Sequence, residues 1–276
     1  MTFALTPDAP IGVFDSGLGG LSVLREIERQ LPAERIHYVA DTANVPYGDK
    51  PIEVVRALAL KLTDYLIESG AKIVIMASGT STAAGLSAAK QKYPLTDIIG
   101  TIDSGARTAV YASPGDIGVV ATNATARSLA FTRAVNAIDP KRRVVEQGAP
   151  RFVPLVESGL TECAEAVDAS LEYLRPLALA GVRVIILGCT HFPFLDAALT
   201  QAARDLNFQP LFVDPAAETV RDVKAILDRK SLLRDPQLPH TPVRFDATGD
   251  PEDFGRQASV LLKRDAGVVN LLRLDD

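Results

Sequence analysis

The chain has 276 residues, is 47% hydrophobic and 23% charged, and carries a formal charge of −5, the balance of an ordinary globular protein large enough for two small domains or one large one. An acidic excess without any Trp excludes a general nucleic-acid binder, which needs a basic footprint and stacking aromatics. Two cysteines, Cys163 and Cys189, exclude a disulfide framework, and no apolar run nears the roughly 18 residues of a membrane span.

Residues 1–10 lack the basic and apolar stretches of a signal peptide. A cytoplasmic protein with reduced thiols is therefore expected, with a single Cys163–Cys189 bridge left open by the sequence.

In chain order, short apolar runs at 11–14, 36–40, 73–77, 98–102, 117–121, 144–147, 184–188, 211–213 and 243–247 read as strands. Most are continuous rather than alternating, as in strands covered on both faces. Amphipathic stretches at 20–30, 51–69, 80–92, 104–112, 125–136, 162–179, 193–205, 216–228 and 251–263 read as helices. Strand–helix alternation means parallel α/β architecture. A weak repeat runs through it. Ile11-Gly12-Val13 returns as Ile117-Gly118-Val119, 117 − 11 = 106 residues later, and the runs opening at Ile73 and Val184 stand 184 − 73 = 111 apart. The expectation is two similar Rossmann-like domains with mainly parallel sheets, 1–99 plus 212–276 and 100–211, with the active site in the cleft between them, where ligands of open α/β sheets bind.

The loops that follow the strands carry the candidate chemistry. Asp15-Ser16-Gly17-Leu18-Gly19-Gly20 combines a carboxylate with glycines that let backbone approach a ligand. It has neither dinucleotide nor Walker A spacing. Asp41 to Gly48 is a Pro/Gly turn holding Tyr47. Ser78-Gly79-Thr80-Ser81 and Thr122-Asn123-Ala124-Thr125 are runs of small polar residues, suited to helix caps or to carboxylate donors. Gly188-Cys189-Thr190-His191 places an imidazole two residues from a thiol, where it can set the thiol's protonation. A buried structural cysteine fits that string equally well. The three histidines and two cysteines show no metal-ligand spacing, so no metal is expected.

Taken in order, Gly12 to Gly20, Asp41 to Gly48, Val153 to Gly159, Leu187 to Pro193 and Thr248 to Pro251 resemble the glutamate racemases of the aspartate/glutamate racemase superfamily, over nearly the whole chain. The resemblance implies a cofactor-independent amino-acid racemase that supplies D-glutamate for peptidoglycan. One group takes the α-proton from one face of glutamate and another returns a proton to the opposite face. It assigns Cys189, supported by His191, to one face and the position of Ser78, supported by Asp15, to the other. Glu157 matches a further acidic site residue. Asp15, Ser16, Pro46, Tyr47, Gly48, Gly79, Thr80, Thr122, Thr190 and His191 fall at substrate-binding positions. A homodimer is expected by analogy alone.

The chain departs from the family at one place. Where the pattern is Ala-Cys-Asn-Thr, it reads Ala77-Ser78-Gly79-Thr80, so a thiol and an amide side chain are both missing. Ala149 also stands where the family often has Cys. Serine is a far weaker acid than cysteine. Two readings therefore stand beside racemisation: a one-thiol decarboxylase or isomerase acting on another dicarboxylate, and a non-catalytic glutamate-binding relative. Ser78→Cys with Gly79→Asn, assayed in both directions, separates these readings: a large gain shows a site that is otherwise complete, and no gain a pocket rebuilt for another ligand.

Overall fold

A computed structural model describes residues 5–274. The first half runs β1 (Ile11–Asp15), α1 (Leu21–Gln30), β2 (Ile36–Ala40), α2 (Ile52–Glu68), β3 (Ile73–Met76), α3 (Gly79–Lys92) and β4 (Asp97–Gly100). The second runs α4 (Thr101–Ala112), β5 (Ile117–Ala121), α5 (Asn123–Ser128), α6 (Ala130–Ile138), β6 (Val144–Gly148), α7 (Phe152–Glu157), α8 (Ala164–Leu179), β7 (Val184–Leu187), α9 (Asp196–Asp205) and β8 (Leu211–Val213). The chain then returns through α10 (Ala216–Arg229), β9 (Arg244–Ala247), α11 (Pro251–Leu262) and β10 (Val269–Leu271).

Two parallel sheets result, ordered β10-β9-β2-β1-β3-β4 and β6-β5-β7-β8. The cores of the two orders match: 2-1-3-4 in one half, 6-5-7-8 in the other. Ile11 pairs with Ile36 and Ile73, as Ile117 pairs with Val144 and Val184. The strings repeated in the sequence are thus the central strands of two equivalent sheets. Even a packing detail recurs. A Cβ on Gly12 would press on Leu66 and Ala71, and one on Gly118 would press on Leu177 and Val182. Each glycine lets the helix that leads into the neighbouring strand, α2 before β3 and α8 before β7, lie directly on the sheet.

Continuous apolar strands bury both faces, and four apolar clusters fill them. Ile11, Val13 and Ile75 pack under α1, α10 and α11, while Phe14, Val74 and Met76 pack under α2 and α3. In the second sheet, Val119 and Ile186 face α4 and α6, and Val120 and Ile185 face α8 and α9. Because α4 packs into the second core and α10 into the first, the chain crosses after Gly100 and recrosses after Val213. The boundary expected at 211/212 cuts β8, whose Phe212 and Val213 pair with β7.

Other expected bounds shift for local reasons. The single helix expected at 125–136 breaks at Leu129, which adopts a left-handed conformation (φ 52°) between α5 and α6. Thr101 and Ile102, expected to end a strand, open α4. The helix expected from 193 begins at Asp196, after a 3₁₀ turn at Phe192–Leu195. Two short elements, α7 and β10, were not expected.

The returning segment is held by a buried polar knot. Asp246 of β9 lies 2.5 Å from His37 Nε2, accepts from Tyr65 Oη at 2.8 Å and Asn270 Nδ2 at 2.9 Å, and lies 3.0 Å from Arg244. Burial alone would raise this carboxyl's pKa. The bonds from His37, Asn270 and Tyr65 outweigh it and hold the group well below the usual carboxylate range. A lowered folded-state pKa stabilises the fold above the unfolded value of about 4 and is lost as pH falls through the folded one. Asp246→Asn is expected to cost about 1.5–3 kcal/mol at pH 7. Urea unfolding from pH 7 down to 3 should lose less stability in the variant than in the parent protein, and equal slopes would contradict the assignment.

Candidate active site

The carboxyl ends of β1, β3, β5 and β7 converge on one cleft between the sheets. Its wall includes Ser16, Pro46, Tyr47, Gly48, Ser78, Thr80, Thr122, Cys189, Thr190 and His191, every one expected from sequence. The wall also holds Asn123 of the expected polar run, and Asp49, Ala149, Pro150, Val153 and Pro154, for which no role was expected. Asp15, Gly79 and Glu157 lie outside this wall, packed against it.

Cys189 follows β7 and is 7% exposed. Its Sγ lies 3.7 Å from His191 Nδ1, and His191 Nε2 lies 2.6 Å from Glu157 Oε1. This thiol–imidazole–carboxylate line is set by packing. Phe152 of α7 meets Phe192 edge-on at 4.9 Å and Tyr173 at 5.1 Å, contacts that contribute about 0.5–1.5 kcal/mol each beyond area burial. They fix α7, and so Glu157, against the turn that carries His191. Burial disfavours a charged imidazole, but hydrogen bonding and Coulombic attraction from Cys189 and Glu157 prevail, so His191 sits well above the ordinary imidazole range. Both cysteines are free thiols, which closes the question of a bridge.

Asp15 ends β1 and is fully buried. Its carboxylate accepts from the Gly20 amide at 2.7 Å and from Thr190 Oγ at 3.5 Å, the latter a bond between the halves. Burial pushes its pKa up, against the opposing pull of His191 and the Gly20 amide. Ser78 caps α3, its Oγ accepting from the Ser81 amide at 3.3 Å. Thr80 of the first half joins Thr122 and Thr125 of the second in a hydroxyl cluster with spacings of 2.9, 3.1 and 3.0 Å. Thr125 is fully buried, and its i+3 spacing from Thr122 is that of an N-cap pair, the capping role expected of this run. Tyr47 lines the cleft, but its hydroxyl donates to Asp41 at 2.5 Å. Asp41 also accepts from Asn44 and Thr248 and so anchors the loop.

The halves meet where side chains are missing. A Cβ on Gly19 would sit 2.3 Å from His191 Nδ1 and 2.4 Å from Thr190 Oγ. One on Gly79 would sit 2.3 Å from the Gly188 carbonyl oxygen, and one on Gly48 would sit 2.9 Å from Thr122 Cβ. Gly79 therefore acts as a contact point between the halves. The carbonyl of Gly188 occupies the place of a side chain at 79, so Gly79→Asn cannot be added to Ser78→Cys without moving the halves. Among the described residues, no group of three or more His, Cys, Asp or Glu side chains is arranged to hold a metal ion. No helix among them is long and apolar enough to cross a membrane.

Comparison with known proteins agrees with this geometry. Residues 11–223 match the Asp/Glu/hydantoin racemase family. The glutamate racemase of Corynebacterium glutamicum is 40% identical over 252 residues, 90% of each chain. The chain belongs to the glutamate racemase family. A crystal structure of a family member from Bacillus anthracis superposes with a TM-score of 0.89 at 32% identity, covering 96% of this chain and 98% of that one. A Francisella tularensis member, solved with D-glutamate, superposes with a TM-score of 0.89 at 28% identity, covering 98% and 99%.

Gly79→Ala should force the halves apart by overpacking against rigid backbone, a cost of about 1–3 kcal/mol. The check is thermal unfolding with and without glutamate, where the variant is expected to lose both intrinsic stability and ligand-induced stabilisation. An unchanged melting profile would contradict the close contact.

Proposed function

We propose that the protein interconverts L- and D-glutamate by cofactor-independent proton transfer and supplies D-glutamate for peptidoglycan. The observation that carries this reading is the thiol–imidazole–carboxylate line of Cys189, His191 and Glu157, facing Ser78 across a cleft walled by donors. An imidazolium 3.7 Å from the sulfur provides the positive partner that a thiolate needs. Cys189 then removes or returns the α-proton on one face. The first-turn amides of α3, with Thr80 and Thr122, meet the substrate's carboxylates, and Ser16 and the Asp15–Thr190 contact hold the amine end.

Ser78 Oγ–H stands where the proton enters or leaves the second face. As a donor to a carbanion it needs no activation. As a base it must become an alkoxide, which is costly. Enantiomers have equal free energy, so kcat/KM must be the same in both directions and the weak side limits both. The capping bond between Ser78 and the Ser81 amide supports a second reading, in which Ser78 is structural and Cys189 exchanges a proton on one face only.

Circular dichroism of D- and L-glutamate conversion tests these readings. Cys189→Ala is expected to lose about 10²–10⁴-fold in kcat/KM in both directions. Ser78→Cys should gain about tenfold or more in both, since a thiol is the stronger acid. No conversion by the parent protein at high enzyme concentration would overturn the racemase reading. A parent protein that converts glutamate as well as Ser78→Cys does would show that Ser78 is not the limiting group.

A further inference from the structure

The cleft itself is narrow, about 50 Å³. A wider chamber of about 250 Å³ opens beside it between the start of α2, the first turns of α3 and α5. The two cavities share Thr80, and the chain passes from one wall to the other at Asp49–Lys50 and again at Asn123–Ala124. Most of the chamber wall is apolar or small, Ile52, Val55, Ala83 and Ala84 among it. Its charged members are Lys50 and Arg127, and no carboxylate lines it.

Among the described residues, neither cation has an ion-pair or side-chain hydrogen-bond partner, unlike most of the basic side chains of this protein. The acidic residues nearest Lys50 in sequence do not line the chamber: Asp49 is exposed in the cleft wall and Glu53 is exposed on α2. Lys50 belongs to the first half and Arg127 to the second, so the two cations flank the approach from opposite sides. In a protein of net charge −5, an approaching dicarboxylate is repelled at long range, and an uncompensated pair of cations at the mouth of a low-dielectric cleft focuses the field that offsets this.

We propose that the chamber is an anion-capture vestibule, in which Lys50 and Arg127 bind a carboxylate of the incoming dicarboxylic amino acid and pass it over Thr80 into the cleft. The inference rests on glutamate being the substrate. It adds a site that touches the substrate before, and not during, proton transfer.

The test is the double variant Lys50→Gln/Arg127→Gln, with the charge-preserving Lys50→Arg/Arg127→Lys as control. Racemisation kinetics are measured at about 20 mM and about 300 mM NaCl, where screening differs severalfold in range. At low salt the double variant is expected to lose about tenfold in kcat/KM, within the range of electrostatic steering, with kcat within about twofold of the parent protein. At high salt the gap should shrink to about twofold, and the charge-preserving control should match the parent at both. Equal kcat/KM at low salt, a loss independent of salt, or a loss residing in kcat would overturn the vestibule while leaving the racemase reading intact.

Calorimetric titration with glutarate, a dicarboxylate without an amine, separates the two questions. If the parent protein does not racemise glutamate, the racemase reading fails. The vestibule is then judged on glutarate alone. A salt-sensitive, roughly tenfold weaker binding by the double variant would support it, and equal binding would overturn it.

Discussion

The structure turns on the direct approach of two half-sites through missing side chains. Gly19 lies against His191 and Thr190, and Gly79 lies against the carbonyl of Gly188, each at a distance that no Cβ could occupy. This closeness lets Asp15 of one sheet bond Thr190 of the other and lets Thr80 join Thr122 and Thr125. It also buries His191 so thoroughly that its charge is set by Cys189 and Glu157 rather than by water. With a wider gap, these groups would be separate solvated side chains with ordinary acidities.

The duplicated topology explains why the chemistry is two-sided, and the departures from it explain why the sides are unequal. The offset of 111 residues that relates β3 to β7 makes Ser78 the counterpart of Cys189, Gly79 that of Thr190 and Thr80 that of His191 in the repeat. The second half has a polarised thiol, with its imidazole braced by Glu157 through the Phe152–Phe192 contact. The first has a hydroxyl that caps a helix and a glycine that serves as a contact point. Because the Gly188 carbonyl occupies the volume of a side chain at 79, Ser78→Cys alone is the change that the cleft admits.

Much of this was legible from the sequence, because the controlling signals are local and strong. Continuous apolar runs marked nine strands, and the strings after them marked most, but not all, of the cleft wall. What escaped depended on contacts between distant residues. Helix α7 is six residues long, contains Pro154 and is fixed by Phe192 and Tyr173 of later elements, so no periodicity could announce it. Strand β10 is a three-residue edge, largely exposed. The break at Leu129 needs a left-handed conformation that nothing in a leucine foretells. The blocked volume at Gly79 belongs to the opposite half-site, and no reading of the first loop alone could reveal it.

The central claim is that protons are exchanged on both faces of one bound glutamate. Its most direct measurement is proton NMR of deuterium wash-in at Cα in D₂O, started separately from each enantiomer. The account predicts that L-glutamate yields deuterated D-glutamate and D-glutamate yields deuterated L-glutamate at matching kcat/KM. Deuterium entering one enantiomer alone, with retention of its configuration, would contradict it and leave Cys189 as a one-sided base.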